Sequence, residues 1–142
     1  MKMSDESYYR TLDVIDRIKD EAIKKFTTLG KFSKACGKHQ SWFYVIYGSG
    51  NGIKLSTLIN CARALDVSIW YFLCKEPKKP FSEPNIDVKE VMRRTKGMKR
   101  GFYNIRESKW KIMHGLTKDI TLQMLFNIQE VMKKDLHFFL DN

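Results

Sequence analysis

No apolar run in the 142-residue sequence approaches the roughly 20 residues that a membrane-spanning helix needs, so no membrane partner is expected. Cysteine is scarce: Cys36, Cys61 and Cys74 are the three, and none forms a Cys-x-x-Cys pair. An odd number without that spacing excludes a disulfide framework and a thiolate metal site. Each cysteine sits among apolar neighbours, as reduced core cysteines of cytosolic proteins do, so a cytoplasmic location is expected. The first ten residues are polar and carry Asp5 and Glu6, and no secretory leader is expected. His39, His114 and His137 are scattered, with no carboxylate or cysteine at ligand spacing, so no metal is expected. There is no P-loop, no Gly-x-Ser-x-Gly and no glycine-rich dinucleotide turn. An enzyme is therefore not expected, nor a cofactor, and no small-molecule ligand is evident.

What the sequence has is apolar mass and positive charge. Hydrophobic residues make up 43% and aromatics 13%, enough apolar surface to offset the cost of ordering a chain. The formal net charge is +10 and the pI near 9.6, which favours a polyanionic partner: DNA, RNA or an anionic membrane face. The span Lys89–Lys111 holds nine basic side chains against Glu90 and Glu107 and is the densest polyanion footprint.

Proline is confined to Pro77, Pro80 and Pro84, all inside one ten-residue stretch. Proline removes a backbone donor and disfavours helix in the residue before it, so residues 75–84 read as a linker between domains 1–74 and 85–142. Elsewhere the pattern is helical. Val14, Ile15, Ile18, Ala22 and Phe26 recur at spacings of three and four; so do Leu55, Leu58, Ile59, Ala62 and Leu65, and later Leu122, Leu125, Phe126 and Met132. Strand-like alternation is scarce, and the fold class expected is all-α.

Sliding the sequence by 67 residues lays Ser41–Leu73 over Ser108–Leu140 without a gap. Eight of the 33 pairs are identical, against roughly two from ordinary composition. They include Gly48/Gly115 and Ile53/Ile120, in a loop where helical periodicity imposes nothing. One small helical unit is thus written twice.

Residues 28–73 carry a short helix with Phe32 and Cys36, a turn at Gly37, a second helix with Phe43 and Ile46, a loop, and a leucine-rich helix ending in Leu65-Asp-Val-Ser68. This order and spacing resemble the Cro and phage-repressor (XRE) helix-turn-helix family. The resemblance departs at Tyr47, where the family often has glutamate, and in the glycine-rich loop 48–52. In the second half, residues 122–140 match through the repeat and Asn104 stands at the turn glycine. The resemblance implies two tandem lambda-repressor-like helix-turn-helix bundles of about five helices each.

The same resemblance implies a site. A helix-turn-helix sets the start of its second helix in the major groove. Gln40, Ser41, Tyr44 and Val45 would then face base edges, with the amides of Thr28 and Leu29 at a phosphate and Lys31, Lys38 and Lys54 near the backbone. His39 would cap that helix or touch a phosphate, whereas His114 and His137 are expected to be ordinary surface or half-buried residues. Trp42 is expected at DNA or at a protein interface. In the second copy the corresponding residues are Glu107, Ser108, Lys111 and Ile112, flanked by Arg106 and Lys109. The expected function is a sequence-specific double-stranded DNA-binding regulator, repressor-like, whose two units act as a pseudo-dimer. Family members pair as dimers, so a homodimer is one expected partner, and the long first helix, Tyr8 to Phe26, is a candidate to make it. The alternatives are an interaction module that keeps the fold without specific DNA binding, and RNA binding through the basic second half.

Overall fold

The computed structural model describes residues 5–49, 53–83, 88–94 and 119–141, and among these the chain is all-helical. The elements are α1 (Asp5–Phe26), α2 (Leu29–Ala35), α3 (Trp42–Ser49), α4 (Leu55–Leu65), α5 (Ile69–Cys74), α6 (Val88–Arg93), α7 (Leu122–Met132) and α8 (Leu136–Leu140).

Helix α1 holds the first half together. Its stripe Val14, Ile15, Ile18 and Ala22 is buried, and the helix packs on α2, α3, α4 and α5. Asp5 and Glu6 lie in its first turn and Lys24 and Lys25 in its last, matching the helix dipole. It ends at Thr27, whose φ of 73° is costly for a β-branched residue. Thr28 then caps α2, its hydroxyl accepting from Lys31 N at 3.1 Å.

The connection from α2 to α3 turns on Gly37, whose φ of 76° a side chain would strain. Phe43 on α3 is fully buried against Phe32, ring centroids 5.2 Å apart in an edge-on arrangement. Asn60 on α4 donates to Cys36 O, ahead of the glycine. Helix α4 finishes on Asp66 in the left-handed conformation, and Ser68 caps α5 through Trp70 N.

The same construction recurs 67 residues on. Helices α4 and α7 are both 11 residues long. The left-handed caps Asp66 and Lys133 (φ 55° and 54°) are equivalent, as are the N-caps Ser68 and Asp135. An arginine also braces the C-terminal end of each last helix: Arg17 donates to Tyr71 O and Phe72 O, and Arg94 to the equivalent Phe138 O and Phe139 O. The two arginines are 77 residues apart rather than 67, so the helix that supplies the brace is displaced along the second copy.

The copies meet reciprocally. Leu55 N donates to Ile120 O (2.8 Å) and Leu122 N to Ile53 O (3.0 Å), around an antiparallel bridge between Lys54 and Thr121. Each leucine donates to the repeat equivalent of the isoleucine two positions before it, the signature of a two-fold contact. Trp70 stacks on its own equivalent, His137, at 3.6 Å and 14°. Asp119 strengthens the seam by accepting from the hydroxyl and amide of Ser56, in the first turn of α4. Helix α1 crosses the seam as well: it packs on α7, with the Arg10 guanidinium 4.0 Å above the Phe126 ring and bonded to Gln129. Buried residues of both halves form one continuous core. The long first helix expected to serve dimerisation therefore makes contact with the second repeat of its own chain.

The described part of the proline stretch, residues 75–83, forms no helix but is fastened. Ser68 N donates to Lys79 O, Phe81 N to Asp66, and Lys78 reaches Glu21 at 2.6 Å. One expectation is corrected. Cys36 and Cys61 are buried, but Cys74 is exposed. The buried stripe of α5 is Ile69, Phe72 and Leu73, and Cys74 falls one step beyond it at the helix end.

A shared core has a measurable consequence. Phe126 is fully buried under Arg10. Phe126→Ala is expected to cost about 3–5 kcal/mol in urea unfolding. Hydrogen exchange should quicken in α4 and α5 together with α7, because a single transition unfolds them.

Candidate nucleic-acid interface

The starts of α2 and α3 converge on one face. Thr28, Gly30, Gln40, Ser41 and Tyr44 line a cleft of about 320 Å³ there. The convergence has a local cause. Ser33, fully buried on α2, donates its hydroxyl to Leu29 O at 2.8 Å and accepts Phe43 N at 3.1 Å. Phe43 N is one of the orphan donors of a helix start, so a residue of α2 caps α3. The two helices, connected through the turn at Gly37, are thereby fixed in angle as well as in distance.

His39 completes the entry into α3. Its Nδ1 accepts Ser41 N at 3.2 Å and lies 2.8 Å from Ser41 Oγ. The imidazole orients the serine that borders the cleft.

The outer surface of α3 carries Tyr44, Val45 and Tyr47, which are 53%, 67% and 39% exposed. Gln40 and Ser41 are exposed beside them. Tyr47 is tied back to α1: Lys19 Nζ lies 3.3 Å from its hydroxyl and 4.8 Å from its ring. That hydrogen bond, with the phenol's charge behind it, holds the Lys19 ammonium above its ordinary pKa. Trp42 does not reach outward freely. It is half-buried against the core, with Lys38 Nζ 5.9 Å above its ring.

The stretch that carries this face is one-sided in charge. Between Glu21 and Asp66 the sequence has no carboxylate, while Lys24, Lys25, Lys31, Lys34, Lys38, Lys54 and Arg63 all fall there. Thr28, Lys31 and Lys38 are exposed on the two helices or their ends, and Leu29 offers only backbone, its side chain being buried. Lys54 stands apart from the cleft, at the seam opposite Thr121. Arg106, Glu107, Ser108, Lys109, Lys111 and Ile112, like Asn104 and His114, lie outside the described residues.

No family model, curated protein or solved structure matches the chain. No group of three or more His, Cys, Asp or Glu side chains that could hold a metal occurs among the described residues. None of the described helices is long and apolar enough to cross a membrane.

Sequence reasoning missed Ser33 and Gly30. Ser33 has no signature, because its partner is ten residues away across a turn. Gly30 reads as an ordinary helix glycine until the cleft is seen. His137 also departs from expectation: it is half-buried but far from ordinary, with Glu76 and Asp141 each 3.0 Å from its ring nitrogens.

The brace predicts its own cost. Ser33→Ala orphans Phe43 N in a buried position and is expected to destabilise the chain by about 1–3 kcal/mol in chemical denaturation. Thr28→Ala removes an exposed cap and is expected to cost about 1 kcal/mol.

Proposed function

We propose that the protein is a sequence-specific double-stranded DNA-binding regulator, repressor-like, built from two tandem helix-turn-helix units that act as a pseudo-dimer. The observation that carries this reading is the cleft between Thr28 and Tyr44: two helix starts, a glutamine, a serine and a tyrosine gathered on a face that has lysines and no carboxylate in its sequence. Backbone N–H groups at helix starts favour anions, so the α2 end is suited to a phosphate. Gln40 beside it has the donor and acceptor to pair with adenine, Ser41 bonds to any base edge, and Val45 offers an apolar surface to a thymine methyl. Arg106, Glu107, Ser108, Lys109, Lys111 and Ile112 take the matching roles in the second unit. The two sets differ, so a site read by both is asymmetric.

The reciprocal seam supports the pseudo-dimer part. In a dimer on DNA, two recognition helices are held about one helical turn apart. Here two backbone bonds and one core link the repeats inside a single chain. A second reading, a protein-interaction module, is favoured by the exposed Tyr44, Val45 and Tyr47, since aromatic residues concentrate in protein interfaces.

Selection from a random duplex library at near-physiological salt tests the proposal. The expected result is an asymmetric motif, with affinity falling at least about tenfold between about 50 and 200 mM salt. Gly30→Glu sharpens the test. A Cβ there meets nothing closer than 3.7 Å, so the variant is expected to fold, with a carboxylate set in the cleft. Its affinity should fall by about tenfold or more with unfolding unchanged. A Gly30→Glu variant that binds duplex as the parent does would remove the cleft from the interface, and absence of any enriched motif would sink sequence-specific binding.

A further inference from the structure

The seam between the repeats ends in a group that ordinary packing does not require. His137 stacks on Trp70, 3.6 Å between centroids and 14° between planes. Its Nε2 lies 3.0 Å from Glu76 Oε2, and its Nδ1 3.0 Å from both carboxylate oxygens of Asp141. A neutral imidazole has one N–H and can donate to only one of these carboxylates; the imidazolium donates to both. Glu76 follows α5 in the first repeat, and Asp141 follows α8 in the second. The ring therefore sits on an indole of one copy and between carboxylates of both. We infer that His137 is a pH-responsive clasp: protonated, it fastens the second repeat to the first, and deprotonation releases one of its two links.

Among the described residues, the charged and titratable groups around the ring come from three elements. On α8, Asp135 accepts from the His137 backbone N at 2.8 Å as the helix cap, and the Lys134 ammonium lies over Phe138. From α6, the Arg94 guanidinium is engaged by the carbonyls of Phe138, Phe139 and Asp141. From α5 comes the Trp70 face, with Cys74 close to Glu76 and Asp135. Among the described residues, the Arg94 cation beside Asp141 is thus bound to carbonyls, and the partner that the geometry gives Glu76 and Asp141 in common is the imidazole.

Burial against the indole lowers the His137 pKa, while the hydrogen bonds and charges of Glu76 and Asp141 raise it, and the balance is a raised value. A cation over an indole face adds attraction in the same direction. The sign follows from linkage. A folded-state pKa above the ordinary 6.5 gives stability that is complete below about pH 6.5 and disappears as pH rises through the folded midpoint. The clasp closes in mild acid and loosens in mild base. This holds whatever the protein binds.

Two measurements on the full chain decide it. The first is an NMR titration of the His137 Cε1 proton. The expected midpoint lies above 6.5 and moves down in the Glu76→Gln/Asp141→Asn double variant, which keeps the stack. The second is urea unfolding at about pH 6 and 8.5, compared with His137→Phe, which keeps an aromatic plane on Trp70. The parent's unfolding constant is expected to be about two- to tenfold smaller at the lower pH, after subtracting the difference that the variant retains. A His137 midpoint at or below 6.5, or one that the double variant does not move, overturns the inference. So does an equal pH difference in parent and His137→Phe. Should His137→Phe fail to fold, the titration of the double variant decides alone.

Discussion

The exchange of two backbone hydrogen bonds at the seam, Leu55 to Ile120 and Leu122 to Ile53, is the constraint on which the rest of the molecule depends. A backbone donor buried without a partner is costly, and these two lie at the starts of α4 and α7, where helices have no internal acceptor to offer. Each repeat therefore completes the other. The pairing fixes the copies in opposed orientation, brings the buried stripes of α4 and α7 into one core, and sets Trp70 against His137. Asp119 adds a carboxylate at the start of α4, where a negative charge is favoured.

Around that seam the two faces of the protein diverge in chemistry. The stretch with α2, α3 and α4 has no carboxylate in its sequence, whereas α1 carries Asp5, Glu6, Asp13, Asp16, Asp20 and Glu21. Helix α1 uses part of this charge internally: Asp13 pairs with Arg17, and Glu21 with Lys78 of the proline stretch. Lys31 and Lys38 are exposed around the starts of α2 and α3. That cleft is only as well shaped as the angle between the two helices, and the angle rests on Ser33 and Phe43. A hydroxyl that donates to Leu29 O while accepting from Phe43 N satisfies both at once, so turning either helix breaks a buried bond.

Helix α1 shows how a repeat becomes a single body. It covers α2 to α5 of its own half and then crosses to α7, where the Arg10 guanidinium covers Phe126. The proline stretch runs back along the first half, bonded to Ser68 and Asp66, instead of swinging free. A dimer of separate chains is held by its interface alone; here the interface, a crossing helix and a tethered connection act together.

The sequence by itself determined the helices, because a period of three and four in Val14 to Phe26, Leu55 to Leu65 and Leu122 to Met132 is a local property of the chain. It determined the repeat too, since Gly48, Ile53, Leu55 and Asn60 recur at one offset, and it marked the turn at Gly37 and the basic span Lys89–Lys111. Only the tertiary structure decided how the copies face each other. Identity at Ile53 and Ile120 says that two positions are equivalent, not that their carbonyls accept from Leu122 and Leu55 across a two-fold. It alone gathered Thr28, Gly30, Gln40, Ser41 and Tyr44 into a cleft, and it alone assigned Ser33 to Phe43. The same holds for His137, whose partners Trp70 and Glu76 are 67 and 61 residues away in the chain. The physical reason is range: periodicity and turn residues act over a few positions, whereas a hydrogen bond or a ring stack between distant residues exists only after folding has brought them together.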